Sequence, residues 1–202
     1  MGLKWLPNAV TIGRCLMAVF VALSYLWMMD EAERNRASGA WLFIPFILFS
    51  ATAATDWLDG YLARALDAES AFGARLDPIA DKLLVGACLI AMAHAEHWDW
   101  FLMIPTVVIV GRDVLLTAMR EALGNPAGMK VSSAAKWKTA VALVAIGMFL
   151  FAVAISHLAG DADRMSLLWI MSRGPLLIGL LGIWVAAIMS IITAIDYVKA
   201  SG

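Results

Sequence analysis

Six apolar stretches long enough to cross a bilayer leave this chain of 202 residues few ways to fold. They lie near residues 8–29, 41–62, 79–95, 100–121, 137–158 and 175–198, and a membrane-crossing helix needs about 20 residues. The composition agrees, being 62% hydrophobic with nine Trp and twelve Met. The sequence therefore predicts an all-α, polytopic membrane protein, with six transmembrane helices and a polar cleft facing the cytoplasm. The connections are too short for a soluble domain, and no repeat or low-complexity tract interrupts them. Residues 1–202 read as a single membrane domain, with 1–7 an interfacial N-terminal segment anchored by Lys4 and Trp5.

The first stretch is not followed by a small-residue cleavage site, so it is expected to stay attached. Leu6 stands where a myristoylation signal needs Ser or Thr. Cys15 and Cys88 fall inside predicted helices, read as buried thiols, and say nothing of redox compartment. With the N-terminus in the cytoplasm, eleven of the fifteen Lys and Arg lie toward that side, leaving Arg34, Arg36, Arg164 and Arg173 outside. That split follows the positive-inside tendency.

The cytoplasmic side also receives four aspartates. They occur in Asp56-Trp-Leu-Asp59-Gly60-Tyr-Leu-Ala63-Arg64, followed after eight residues by Gly73, then Asp77 and Asp81. Ionisable groups at membrane depth are costly and mark functional sites, so these carboxylates need a cation. Residues 56, 59, 60, 63 and 64 share one helical face. Asp77 and Asp81 share another, with Pro78 suited to the first turn of a helix that Asp77 could cap. Two helices joined by a 65–76 loop would then point four carboxylates into one cleft. Oxygen ligands without nearby His or Cys suit Mg²⁺, Mn²⁺ or Ca²⁺ rather than zinc. Two divalent ions would balance four negative charges, a recurrent arrangement for moving phosphoryl groups. Gly60 and Gly73 leave room for a ligand or a partner helix, and Arg64 can grip a phosphate with its fork. Asp67 and Glu69, in a polar loop, read as solvated charges.

The pattern D-x2-D-G-x2-A-R-x8-G-x3-D-x3-D resembles, at every specified position, the signature of the CDP-alcohol phosphotransferase family of membrane enzymes. The resemblance implies transfer of a substituted phosphoryl group from a CDP-linked donor to an alcohol, with release of CMP.

Elsewhere the polar residues are sparse enough to sort one by one. Asn8, Thr11 and Arg14 are three apart and line one stripe of the first helix, although Asn8 serves equally as an N-cap; Arg14 wants an anionic partner. Residues 30–39 form a charged external loop. The second helix is expected from Trp41, with Thr52 and Thr55 bonding backbone or substrate. Lys82 points off the carboxylate face and is expected to snorkel to the interface. His94, Glu96, His97 and Asp99 read as an interfacial polar turn, and His157 likewise. In the fourth helix Arg112 and Asp113 partly neutralise one another, while Arg112 and Arg120 share a face roughly 12 Å long. With Lys130, Lys136 and Lys138 they gather five basic residues, either a positive-inside anchor or an anion pocket for a phosphorylated acceptor. The sixth helix, from about Pro175, holds Ser190, Thr193 and Asp196 and reads as packing.

Two further runs resemble the phosphatidylglycerophosphate synthase branch of the same family: Pro7-Asn8-x-x-Thr11-x-x-Arg14, and Arg112-Asp113 through Arg120-Glu121, Lys130-Val-Ser132 and Lys136-x-Lys138-Thr139. Asp113 stands where Glu is usual, and Ala135 where Gly often precedes the Lys. The likeness implies that CDP-diacylglycerol gives its phosphatidyl group to sn-glycerol 3-phosphate. Asp56, Asp59, Asp77 and Asp81 would hold two Mg²⁺ or Mn²⁺ ions, with Asp81 also taking the proton of the attacking hydroxyl. Asp56, Asp59, Gly60, Ala63, Arg64 and Gly73 would bind the CDP donor. Arg14, Arg112, Arg120, Lys130, Lys136 and Lys138 would fix the acceptor phosphate, with Asn8, Thr11 and Thr139 as further candidates. It also implies a homodimer in a bacterial inner membrane, surrounded by membrane lipid, with the active site facing the cytoplasm and no nucleic-acid partner. Inositol phosphate, serine or another phosphatidylglycerol as acceptor keeps the same chemistry, and serine would not need so many basic residues. A divalent-cation transporter is the competing class, opposed by the apolar outer halves of the helices.

Overall fold

A computed structural model describes the backbone of residues 6–34, 39–66, 73–122, 133–159 and 167–201, and side chains over 12–34, 41–55, 82–119, 137–159, 167 and 169–195. Among these residues there is no strand. Six α-helices follow in order: α1 Leu6–Glu33, α2 Ile44–Leu66, α3 Gly73–Ala95, α4 Trp100–Ala122, α5 Ser133–Ala159 and α6 Leu167–Ser201. The all-α expectation holds. Apolar runs long enough to cross a bilayer occupy Ile12–Glu33, Trp100–Met119, Trp137–Ala159 and Trp169–Ile195, with shorter ones at Trp41–Thr55 and Lys82–Ala95. Leu16, Phe20, Trp27, Leu177 and Ile188 stand exposed on the outer faces, as lipid-facing positions should, because hydrocarbon gives apolar side chains no reason to turn inward.

Three helix starts differ from the sequence expectation. Residues Gly39–Phe43 form a 3-10 turn before α2 begins at Ile44; Pro45 then falls in the first turn, where its missing N–H costs nothing. The third helix begins at Gly73, four residues before Asp77, so Asp77 lies within it and is not its cap. The sixth begins at Leu167 and carries Pro175 inside. A proline in a membrane helix is tolerated where other groups satisfy the freed carbonyl, so it is a weaker stop than in water.

The core joins α1 to α3 and α5 to α6, with Val21, Leu89, Met92, Ile146 and Ile183 wholly buried. α5 and α6 make the most extensive pairing, through small residues. A methyl added at Gly179 would sit 2.8 Å from the Phe149 nitrogen and 2.9 Å from the Ala145 oxygen, and one at Gly182 would sit 2.7 Å from the Ala145 Cβ. The helices therefore meet nearly backbone to backbone.

The turn between α3 and α4 closes tightly. His97 and Trp98 both take left-handed backbone conformations (φ 54° and 58°), uncommon without glycine. Asp99 accepts the Phe101 N–H at 2.9 Å, capping α4. This is the polar turn expected around His94 and His97.

Candidate active site

Aromatic contacts fix the direction of α2 against α5. Phe43 and Phe46 meet Phe151 with ring centroids 6.1 and 5.3 Å apart, and Phe49 lies against Gly147. As α2 advances, its partners on α5 fall toward lower numbers, so the two helices run antiparallel. The second half of α2, carrying Asp56, Asp59, Gly60, Ala63 and Arg64, therefore ends at the same end of the bundle as the start of α5. Thr52 and Thr55, on the approach to Asp56, bond back to the carbonyls of Leu48 and Ala51 at 2.7 and 2.8 Å. Both spend their hydroxyls on the helix itself.

That end of the bundle is polar. Asp113 of α4 accepts from Arg112 Nη1 at 2.8 Å and from Lys138 Nζ of α5 at 2.9 and 3.2 Å. Arg112 Nη2 donates to Thr193 of α6 at 3.0 Å, and Lys82 of α3 donates to Thr117 of α4. The side chains of Lys138 and Asp113 are 7% and 13% exposed, deep enough that either charge alone would carry a heavy desolvation cost. A pocket opens here, lined by Lys82, Val85, Ile109, Asp113, Lys138, Thr139, Ala142 and Ala186. Four helices contribute to it. Its polar lining is Lys82, Asp113, Lys138 and Thr139, and its apolar lining Val85, Ile109, Ala142 and Ala186.

Two expectations are corrected. Lys82 does not reach outward to the interface: it is half-buried and turned onto Thr117, because α4 offers a hydroxyl at its level. The sixth helix is not packing alone, since Thr193 takes an Arg112 proton. Thr117 and Thr193 were the residues that sequence reasoning passed over. Their only signal is a hydroxyl in an apolar helix, at the depth of a charged residue on another.

The basic candidates separate accordingly. Lys138 and Thr139 line the pocket, Arg112 is bonded to its Asp113, and Arg14 is half-buried in the first half of α1. Arg120 and Lys136 lie in α4 and α5, and Asn8 and Thr11 in α1, but their side chains fall outside the described residues, as does Lys130 altogether. The same holds for the side chains of Asp56, Asp59, Ala63, Arg64, Asp77 and Asp81. Their helices place them: Asp77 and Asp81, with Gly73, occupy the first three turns of α3, and Asp81 directly precedes the pocket residue Lys82.

A sequence model of the CDP-alcohol phosphatidyltransferase family matches residues 4–192. The chain belongs to that family. As a family member it resembles relatives along nearly its whole length. It is 34% identical to the CDP-diacylglycerol–glycerol-3-phosphate 3-phosphatidyltransferase of Cereibacter sphaeroides, over 98% of this chain and 96% of the relative. It is 29% identical to the Haemophilus influenzae protein of the same name, over 97% and 92%. A cardiolipin synthase (CMP-forming) from Oryza sativa subsp. japonica is 34% identical over 72% of this chain and 45% of the relative.

Proposed function

We propose that this CDP-alcohol phosphatidyltransferase transfers the phosphatidyl group of CDP-diacylglycerol to sn-glycerol 3-phosphate, giving phosphatidylglycerol phosphate and CMP. The observation that carries the acceptor is the pocket lined by Lys82 and Lys138, with Arg112 bonded to its Asp113, at the end of the bundle that holds the aspartate motif. The name shared by near-full-length relatives supports the same assignment.

Asp56, Asp59, Asp77 and Asp81, with no His or Cys between residues 56 and 81, form a donor set that fits hard divalent cations. Asp56, Asp59, Asp77 and Asp81 would hold two Mg²⁺ or Mn²⁺ ions, which when bound neutralise the donor pyrophosphate and the departing CMP. Gly60, Ala63, Arg64 and Gly73 line the nucleotide side. Arg112, Lys138 and Lys82 orient the acceptor phosphate, with Arg14, Arg120, Lys130 and Lys136 adding positive charge. Asp81 takes the proton of the acceptor hydroxyl as its oxygen bonds to the β-phosphorus and the bond to CMP breaks. The distribution of Lys and Arg turns this end to the cytoplasm, where CMP leaves into water. The chain works as a single membrane domain, paired as a homodimer.

The test is CMP release by purified protein in detergent with CDP-diacylglycerol, Mg²⁺ or Mn²⁺, and a panel of glycerol 3-phosphate, inositol phosphate, phosphatidylglycerol and serine. Turnover with glycerol 3-phosphate alone is the expected result. Turnover only with another acceptor overturns the acceptor assignment, and metal flux through sealed vesicles without CMP release overturns the enzyme.

A further inference from the structure

Asp113 has no part in the chemistry just described, yet it touches two of the groups assigned to the acceptor. We propose that Asp113 is a positioning residue for the acceptor phosphate: its carboxylate holds Arg112 and Lys138 in place, so that their remaining N–H groups face the pocket. The proposal rests on the reading that this pocket takes a phosphorylated acceptor.

Two observations carry it. The carboxylate accepts three hydrogen bonds, one from Arg112 and two from Lys138, and so ties a residue of α4 to one 25 positions later on α5. Without it, two like charges at this depth would repel and their flexible stems would carry them outward to the interface. The contacts also leave donors in hand. Arg112 spends one proton on Asp113 and one on Thr193, while its buried Nε has no acceptor among the described residues. A buried donor without an acceptor is costly, and a phosphate oxygen would satisfy it.

The experiment compares Asp113→Asn and Asp113→Glu with the wild-type protein, measuring kcat, the KM of each substrate and the melting temperature. In Asp113→Asn the acceptor KM should rise at least about tenfold, as expected for losing charge-assisted hydrogen bonds, with the KM of CDP-diacylglycerol changed less than about twofold. Asp113→Glu, which restores the charge one methylene further out, should recover most of the loss. Combining Asp113→Asn with Lys138→Met should cost less than the sum of the two single losses, because the carboxylate acts in part through that lysine. An unchanged acceptor KM, or equal shifts in both KM values alongside a lowered melting temperature, would show a purely structural clamp and overturn the proposal. Should Asp113→Asn not accumulate folded, Asp113→Glu still decides: a selective rise of a few-fold in acceptor KM supports positioning, and none overturns it. Wild-type turnover with a different phosphorylated acceptor would sink the glycerol 3-phosphate assignment while leaving Asp113 to be measured with that compound. Turnover only with a phosphate-free acceptor would sink both.

Discussion

Trp184 of α6 donates its indole N–H to the carbonyl of Phe101 in α4, at 3.0 Å. That carbonyl is the one Pro105 leaves open: four residues on, proline has no N–H to return. The bond is an inter-helix repair of an intra-helix gap, reinforced by the packing of the two rings at 5.4 Å.

Replacing Trp184 by Phe keeps an aromatic ring and removes the donor, and should cost about 1 kcal/mol of stability. In a Pro105→Ala background the carbonyl regains a partner within α4, so the same replacement should cost half as much or less. Thermal unfolding of the four proteins in one detergent measures the coupling. Strict additivity would mean that the indole is not repairing the proline gap.

The seam between α5 and α6 makes a sharper demand. Gly179→Ala must displace backbone atoms of Phe149 and Ala145 and should destabilise by about 1–3 kcal/mol, as overpacking does. Gly174→Ala, in the same helix with nothing within 4 Å of the added methyl, should be neutral or slightly stabilising. Equal melting temperatures for the two variants would refute the close approach.

Asp81→Asn should lower CMP formation by about 10²–10⁴-fold, the usual worth of a general base, and chelation of divalent ions should abolish it in the wild-type protein. Activity surviving both would remove Asp81 and the metals from the reaction.

Thr193→Val deletes the hydroxyl that receives Arg112 Nη2 and should raise the acceptor KM about three- to tenfold through one lost hydrogen bond. The KM of CDP-diacylglycerol is the internal control. If both move together, Thr193 supports the fold rather than the guanidinium.

Sidedness can be read by labelling. In a chain with Cys15 and Cys88 replaced by Ala, a membrane-impermeant maleimide applied to intact bacteria should reach Glu33→Cys, exposed at the end of α1, and leave Lys199→Cys untouched until the cells are opened. The reverse pattern would turn the polar end of the bundle away from the cytoplasm.

The six helices and their order were legible because long apolar runs announce themselves in a sequence, although among the described residues four are long enough to cross a membrane and two are shorter. The aspartate spacing was legible for a related reason: a charge has no cheap place in hydrocarbon, so each one asks to be explained. What stayed hidden was contact between distant positions. Nothing around Thr193 indicates that Arg112, 81 residues earlier, will reach it, and nothing around Trp184 points to Phe101, 83 residues away. Lys82 was misjudged because the rule for lysines near a membrane surface speaks of water and lipid; here a third neighbour, Thr117, is closer than either. Pro175 was misjudged in the same way, by carrying a rule from aqueous helices into a bundle that does not obey it.

The glycine seam also bears on how a two-tailed lipid reaches the site. Where Gly179 and Gly182 bring α5 and α6 close to backbone contact, the two helices cannot part by rotating a side chain aside. That seam is closed to the acyl chains of a two-tailed lipid, which are expected to enter along another boundary of the bundle.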